Sequence, residues 1–290
     1  MNLSTETLNR RNFLKTSALV GGALAIAPTD LLADKSADEY GGFKMGIQSY
    51  SLRGFSVQEA LKHSEKLGLN YWEAYPRHLP MSAVPKTIAD HKELLKGSNI
   101  KLLAYGVLGF DENETKARAA FDFAKAMGIV SLSANPKKSK GTFDLLDKLC
   151  DEYKVAIAIH NHGPRALYDK ISDVEEMVKD RHPLVGACVD TGHFLRSDEV
   201  PAEAIERLGK RVFGVHLKDV KTIESGGKKQ RLFKILGEGD LNVPNCLTVL
   251  RKLKYDKVVS LEYEENPKNP LSDIEACLAH VRESVKKNRG

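Results

Sequence analysis

The chain has 290 residues, of which 42% are hydrophobic and 29% charged, a composition that excludes a disordered or fibrous chain and suits a soluble protein with a sizeable core. Its formal net charge is only +5 at pH 7. The basic residues are spread over expected helix faces, as at Lys86, Lys92, Lys96 and Lys101, which argues against the concentrated patch of a nucleic-acid binder.

At the N-terminus, Arg10-Arg11-Asn12-Phe13-Leu14-Lys15 precedes an apolar run over 18–27. Ten or so apolar residues are too few to span a bilayer as a helix. A basic stretch, a short apolar stretch and small residues after it read as an export signal, and the paired arginines as the twin-arginine kind. Residues 1–33 are expected to be removed after Ala33, because Pro28 disfavours a cut after Ala27. Residues 34–42 then form a linker. No cysteine sits near the cut to carry a lipid, so no membrane anchor is expected after removal, and the mature protein is placed in the periplasm. This route carries folded proteins, which fits a cofactor inserted before export. Cys150, Cys188, Cys246 and Cys277 are far apart in no metal-like spacing, so disulfides and buried free thiols both stay open.

From residue 43 onward, short β-rich apolar runs alternate with amphipathic stretches. Strands are expected at 44–49, 70–74, 101–106, 129–133, 155–160, 185–190, 212–217 and 258–262. Helices are expected at 57–67, 85–96, 114–127, 142–153, 171–179, 201–208, 243–253 and 272–286. Such alternation demands parallel pairing through right-handed crossovers. Eight units match an α/β single domain over 43–290, a (β/α)8 TIM barrel. An open doubly wound sheet would carry a glycine-rich turn after its first strand, where this chain has Gln48-Ser49-Tyr50-Ser51. Between strand seven and its helix lies a longer segment, 219–240, with Ser225-Gly226-Gly227-Lys228 inside it. It reads as a loop with a hairpin at the barrel mouth.

In a parallel barrel all strand C-termini meet on one face. Strand five ends in His160-Asn161-His162, six in Asp190-Thr191-Gly192-His193, seven in His216-Leu217-Lys218-Asp219 and eight in Glu262-Tyr263-Glu264. His160, Asp190, His216 and Glu262 are therefore candidate ligands of one divalent metal. Two imidazoles and two carboxylates suit Mn, Zn, Fe or Co better than Ca. His160 and His162 share a side if the strand continues, so at most one of them is expected to ligate.

These motifs carry a resemblance. Val189-Asp190-Thr191-Gly192-His193, Val215-His216-Leu217-Lys218-Asp219, Gly237-Glu238-Gly239 and the Glu262 strand are similar to those of the xylose-isomerase-like superfamily of sugar isomerases, epimerases and dehydratases, which also includes endonuclease IV. The resemblance implies one metal held by Glu, Asp, His and Glu. Asp190, His216 and Glu262 match the last three, whereas His160 stands in place of the first Glu. A neutral imidazole cannot shuttle a proton as a carboxylate does, so a two-Glu epimerisation is not expected. A one-base reaction beside a carbonyl, an elimination, dehydration or isomerisation of a keto-sugar or keto-glycoside, is expected instead, with Glu262, His162 or His193 taking the proton. Gln48, Tyr50, Glu73, Tyr105, Lys218 and Glu238 are the expected substrate-binding residues at the mouth. The expected partner is a small carbohydrate and no nucleic acid; a homo-oligomer is left open. The alternatives are a carbohydrate-binding barrel without chemistry and, more weakly, an endonuclease-IV-like repair enzyme, which would need more metal ligands and a basic groove.

Overall fold

The structure, a computed structural model, describes residues 39–287; the expected signal peptide and most of the expected linker lie outside the described residues. The chain runs β1 (Lys44–Gln48), a 3-10 turn (Ser49–Leu52), α1 (Val57–Lys66), β2 (Tyr71–Ala74), α2 (Pro85–Lys96), β3 (Lys101–Phe110), α3 (Glu114–Met127), β4 (Ser131–Pro136) and α4 (Lys140–Tyr153). It continues with β5 (Ala156–His160), α5 (Ile171–Val178), β6 (Val185–Asp190), α6 (Thr191–Arg196), α7 (Pro201–Leu208), β7 (Val212–Leu217), β8 (Asp219–Ser225), β9 (Lys228–Lys234), α8 (Val243–Lys252), β10 (Val258–Leu261) and α9 (Leu271–Lys287).

Eight strands close a parallel barrel in the order β1, β10, β7, β6, β5, β4, β3, β2, as the alternation of strands and helices requires. Every residue of β5, β6 and β7 is buried, because barrel strands are covered by side chains inside and by helices outside. Helix boundaries follow local chemistry. Ser56 and Glu59 make a capping box on α1, Asn113 and Ser139 cap α3 and α4, and Gly128 ends α3 in the left-handed region at φ 72°, a conformation glycine adopts without steric cost.

Local departures from the sequence expectation cluster at the barrel mouth. β3 runs on to Phe110, with a register shift against β4 between Tyr105 and Leu108. β4 starts and ends later than expected. The six-residue helix α6 follows β6 directly, where no helix was expected, since Asp190 caps it by accepting from His193 N at 2.8 Å. The segment 219–240 contains the expected hairpin, β8 paired antiparallel with β9 through Gly226-Gly227, both at positive φ (59° and 71°), which tight hairpin turns demand. Tyr40, inside the expected linker, is buried, and its hydroxyl accepts from Arg282. All four cysteines are free and buried.

Candidate metal centre and active site

Strand register gathers the ligand candidates. His160 pairs with Cys188, Asp190 with His216, and His216 with Ser260 of the neighbouring strands, which sets three strand ends level. Glu262 follows the last residue of β10, its N–H donating to Leu217 O at 3.0 Å. One donor atom from each of His160, Asp190, His216 and Glu262 lies within 4.8 Å of all the others.

Backbone locks hold these ends in place. Asn161 donates from Nδ2 to Asp190 O at 3.0 Å and accepts from Asp190 N at 2.8 Å, clamping β5 to β6. Thr191 Oγ1 donates to Lys218 O at 2.7 Å and accepts from Lys218 N at 2.9 Å, clamping β6 to β7. Gly192 is needed where it stands, because a Cβ there would lie 2.6 Å from Lys218 Cγ. Asp190 divides its two oxygens: Oδ1 caps α6 and Oδ2 faces the cluster.

The fit to a metal can be tested on satisfaction of polar atoms. His160 Nε2, Asp190 Oδ2, His216 Nδ1 and Glu262 Oε2 are all buried and make no hydrogen bond, one atom from each of the four residues. Buried polar atoms are normally paired. Four such atoms converging on one point, two neutral-capable nitrogens and two carboxylate oxygens whose charge is met by Lys218, fit a divalent cation with mixed N/O preference. The second ring nitrogen of His216, Nε2, donates to Glu73 Oε2 at 2.7 Å, which fixes the proton on Nε2 and leaves the Nδ1 lone pair for the cluster.

The electrostatics are concentrated on Lys218. This side chain is 2% exposed, with Nζ 2.9 Å from Asp190 Oδ2, 2.9 Å from Glu262 Oε2 and 2.5 Å from Glu264 Oε1. Burial disfavours its charge, but the three carboxylates outweigh burial and raise its pKa. The same pairing holds Asp190 and Glu262 below the usual carboxylate range despite burial, with Lys218 the largest opposing charge on each. His193 is pushed down to about 2 by burial, with Asp190 opposing and Lys218 reinforcing the shift. It lies between two donors, Arg196 Nη1 at 3.0 Å from Nδ1 and Lys218 Nζ at 3.3 Å from Nε2, so a further proton has no acceptor to face.

Above the cluster is a cavity of about 280 Å³ lined by Gln48, Tyr50, Tyr75, Gly106, Val107, Asn135, His160, His162, His193, Lys218, Glu262 and Glu264. Of the expected site residues, His160, His162, His193, Lys218, Glu262, Gln48 and Tyr50 line it. His162 sits beyond the end of β5, its ring 3.9 Å from that of His193. Asp190 and His216 form the floor, fully buried. Three expected substrate contacts sit elsewhere. Glu73 lies behind His216. Tyr105 is fully buried with its hydroxyl donating to Leu79 O at 2.9 Å, on the helix-facing side of β3. Glu238 is exposed in a turn whose neighbours Gly237 and Gly239 donate to Asp219 Oδ2. Glu264, Tyr75 and Asn135 line the cavity without having been among the expected substrate contacts. Glu264 was legible in part, two residues after Glu262 at a strand end.

Comparison with known proteins agrees with this architecture. The family model for the xylose isomerase-like TIM barrel matches residues 61–283, and that for the twin-arginine translocation signal matches residues 7–27. An inosose dehydratase of Clostridium botulinum (strain Eklund 17B / Type B) is 29% identical, over 69% of this chain and 82% of its own. One from Mesomycoplasma hyopneumoniae (strain 7448) is 25% identical over 48% of this chain and 51% of its own, so the chain spans about half the length of some curated relatives it matches. The solved structure of the IolI protein with a bound zinc atom superposes with a TM-score of 0.66 at 19% identity, covering 85% of this chain and 99% of that one, a likeness of fold. The chain carries a twin-arginine signal, and it belongs to the xylose isomerase-like TIM-barrel family.

Proposed function

We propose that this protein is a periplasmic, divalent-metal-dependent enzyme that abstracts the proton beside the carbonyl of a keto-sugar or keto-glycoside and expels a group from the next carbon, a lyase of the dehydratase type. The observation that carries the reading is the convergence of four buried metal-competent donor atoms, one from each of four strand ends, under a polar cavity with room for one sugar ring. Relatives named inosose dehydratases and a zinc-bearing structural neighbour support the reaction class and the metal.

In this reading His160, Asp190, His216 and Glu262 hold the ion, which when bound supplies Lewis-acid polarisation of the substrate carbonyl. In the proposal the Lys218 ammonium, which lines the cavity beside the ligand cluster, offsets part of the negative charge that develops on that oxygen. His162 is the proton acceptor. Its pKa is lowered by burial and by the neighbouring His160, so it is unprotonated at working pH with a lone pair free to accept, and it faces the cavity. His193 stays neutral and orients the substrate rather than taking the proton. Gln48 is braced by its own backbone contacts, accepting from Tyr50 N at 3.2 Å, and with Tyr50 forms the wall that receives the sugar. The twin-arginine signal supports export of the protein, and with it a site of action outside the cytoplasm.

The test is solvent deuterium wash-in. Protein loaded in turn with Mn, Zn, Fe and Co is incubated in heavy water with 2-keto-myo-inositol and with methyl 3-keto-glucoside, followed by NMR and mass spectrometry. Deuterium at the carbon beside the carbonyl, or loss of water or methanol, supports the enolisation reading. Binding without wash-in under all four metals supports a carbohydrate-binding barrel, the reading favoured by His160 in place of a carboxylate.

A further inference from the structure

Among the residues lining the cavity, Lys218 is the one cationic side chain, and it is already surrounded by Asp190, Glu262 and Glu264. Two arginines lie close by but outside the lining, each bonded to uncharged groups. Arg53 donates to the backbone carbonyls of Tyr50 and Glu264. Arg196 donates to His193 Nδ1 and lies 5.6 Å over the Phe233 ring. The other lining side chains include Gln48, Tyr50, Tyr75, Val107 and Asn135, amide, phenol and aliphatic groups with no formal charge.

We infer that the loaded site selects an uncharged substrate, and that Glu264 sets this selectivity by neutralising Lys218. The inference rests on the keto-sugar reading above and names the charge class of its substrate. A dication on the four-ligand cluster, together with the Lys218 ammonium, is balanced by the three carboxylates of Asp190, Glu262 and Glu264. Glu73 behind His216 adds a further negative charge at 2.7 Å from that ring. Among the lining side chains no positive charge is left over for a phosphate or carboxylate on the ligand, and Arg53 and Arg196, which keep their charge, are held outside the lining by the contacts above. An anionic group entering a partly desolvated cavity without a partner is penalised by lost hydration and by like-charge repulsion. Hydroxyl groups, in contrast, find donors and acceptors in the amides and phenols of the lining.

Glu264 is separable from the metal site. It is not one of the four ligands, and it is partly exposed. Glu264→Gln preserves its shape and an acceptor oxygen while releasing one unit of positive charge at Lys218. The variant is therefore expected to gain affinity for anions, an outcome that general damage to the site would not produce.

The experiment is calorimetric titration of manganese-loaded wild type and Glu264→Gln with D-fructose and with D-fructose 6-phosphate, probes that differ by one phosphate. Wild type is expected to bind D-fructose at least about tenfold more tightly than its phosphate, and Glu264→Gln to close that gap by about tenfold through tighter phosphate binding. Added salt should narrow the wild-type gap, since the repulsion is Coulombic. Equal or tighter binding of the phosphate by wild type, or an unchanged gap in the variant, overturns the inference alone. Binding of neither sugar overturns the keto-sugar reading and this inference with it.

Discussion

His216 has two ring nitrogens, and the fold assigns them different tasks. Nε2 donates to the buried Glu73 carboxylate at 2.7 Å, while Nδ1 lies 3.0 Å from Glu262 Oε2 and 3.7 Å from Asp190 Oδ2. A carboxylate behind a ligating imidazole fixes its tautomer and raises its basicity. In the proposed metal site Glu73 is thus a positioning residue rather than a sugar contact. Glu73→Gln keeps an acceptor for Nε2 but removes the charge, and is expected to weaken metal binding about tenfold to hundredfold, read by competition with a chromophoric chelator. Unchanged affinity in a folded variant would remove Glu73 from the metal site. Position 160 tests the other anomaly. Restoring a carboxylate with His160→Glu replaces a nitrogen ligand by oxygen, and oxygen donors favour Mn relative to Zn. The Mn-to-Zn affinity ratio should rise in the variant; a ratio that stays put would show that His160 does not touch the ion.

At the scale of elements, the base of the β8–β9 hairpin and the turn over 237–241 are tied together by one side chain. Asp219 accepts four backbone N–H groups, from Val220 and Leu241 on Oδ1 and from Gly237 and Gly239 on Oδ2, at 2.8–3.0 Å. The hairpin in turn places Phe233 6.2 Å from the His193 ring. Asp219→Asn removes the charge and turns one accepting oxygen into a donor that faces backbone donors. It should cost about 2–3 kcal/mol, the scale of hydrogen bonds to charged groups, with lost amide protection confined to the hairpin and the 237–241 turn in hydrogen exchange. Uniform loss of protection would mean that the hairpin is part of the barrel's cooperative unit. The elements themselves were largely legible, because strand and helix periods differ and caps such as Ser56 and Gly128 mark boundaries. What escaped was of another kind. α6 is six residues long, too short for a period to show, and its start coincides with a ligand motif. Tyr105 was misplaced because a strand-end residue faces either the mouth or the helix layer according to parity. Glu73 pairs with Ala104 and points inward, which turns Tyr105 outward. Parity at a strand with a register shift cannot be counted from sequence. The four-ligand set was legible because equivalent strand ends must converge, whereas the backbone clamps of Asn161 and Thr191 depend on distances that only the closed barrel defines.

For the whole molecule, the buried histidines tie stability to pH and metal together. Burial lowers the pKa of His78, His162 and His193, the last to about 2, whereas in the unfolded chain histidines titrate near 6.5. Below that pH the unfolded state binds more protons, so stability falls as pH drops from about 6.5. His193 alone contributes a limiting slope of roughly 1.4 kcal/mol per pH unit. His216 behaves oppositely in the metal-free protein. Burial works against its charge, but Cys188, Glu73 and Glu262 raise its pKa well above the ordinary value. Its contribution is fully present below the unfolded value and is lost as pH rises through the folded one. Metal-free protein should therefore be most stable near pH 6.5 and weaken on both sides. An ion on Nδ1 displaces the proton there, which abolishes the alkaline limb, deepens the acid one and adds the stabilisation that any native-state ligand confers. Melting temperatures measured across pH 4–9, with chelator and with saturating metal, separate the two cases. A descending alkaline limb that survives metal saturation would show that His216 keeps its proton and is not a ligand, leaving the cluster with three donors and no closed site.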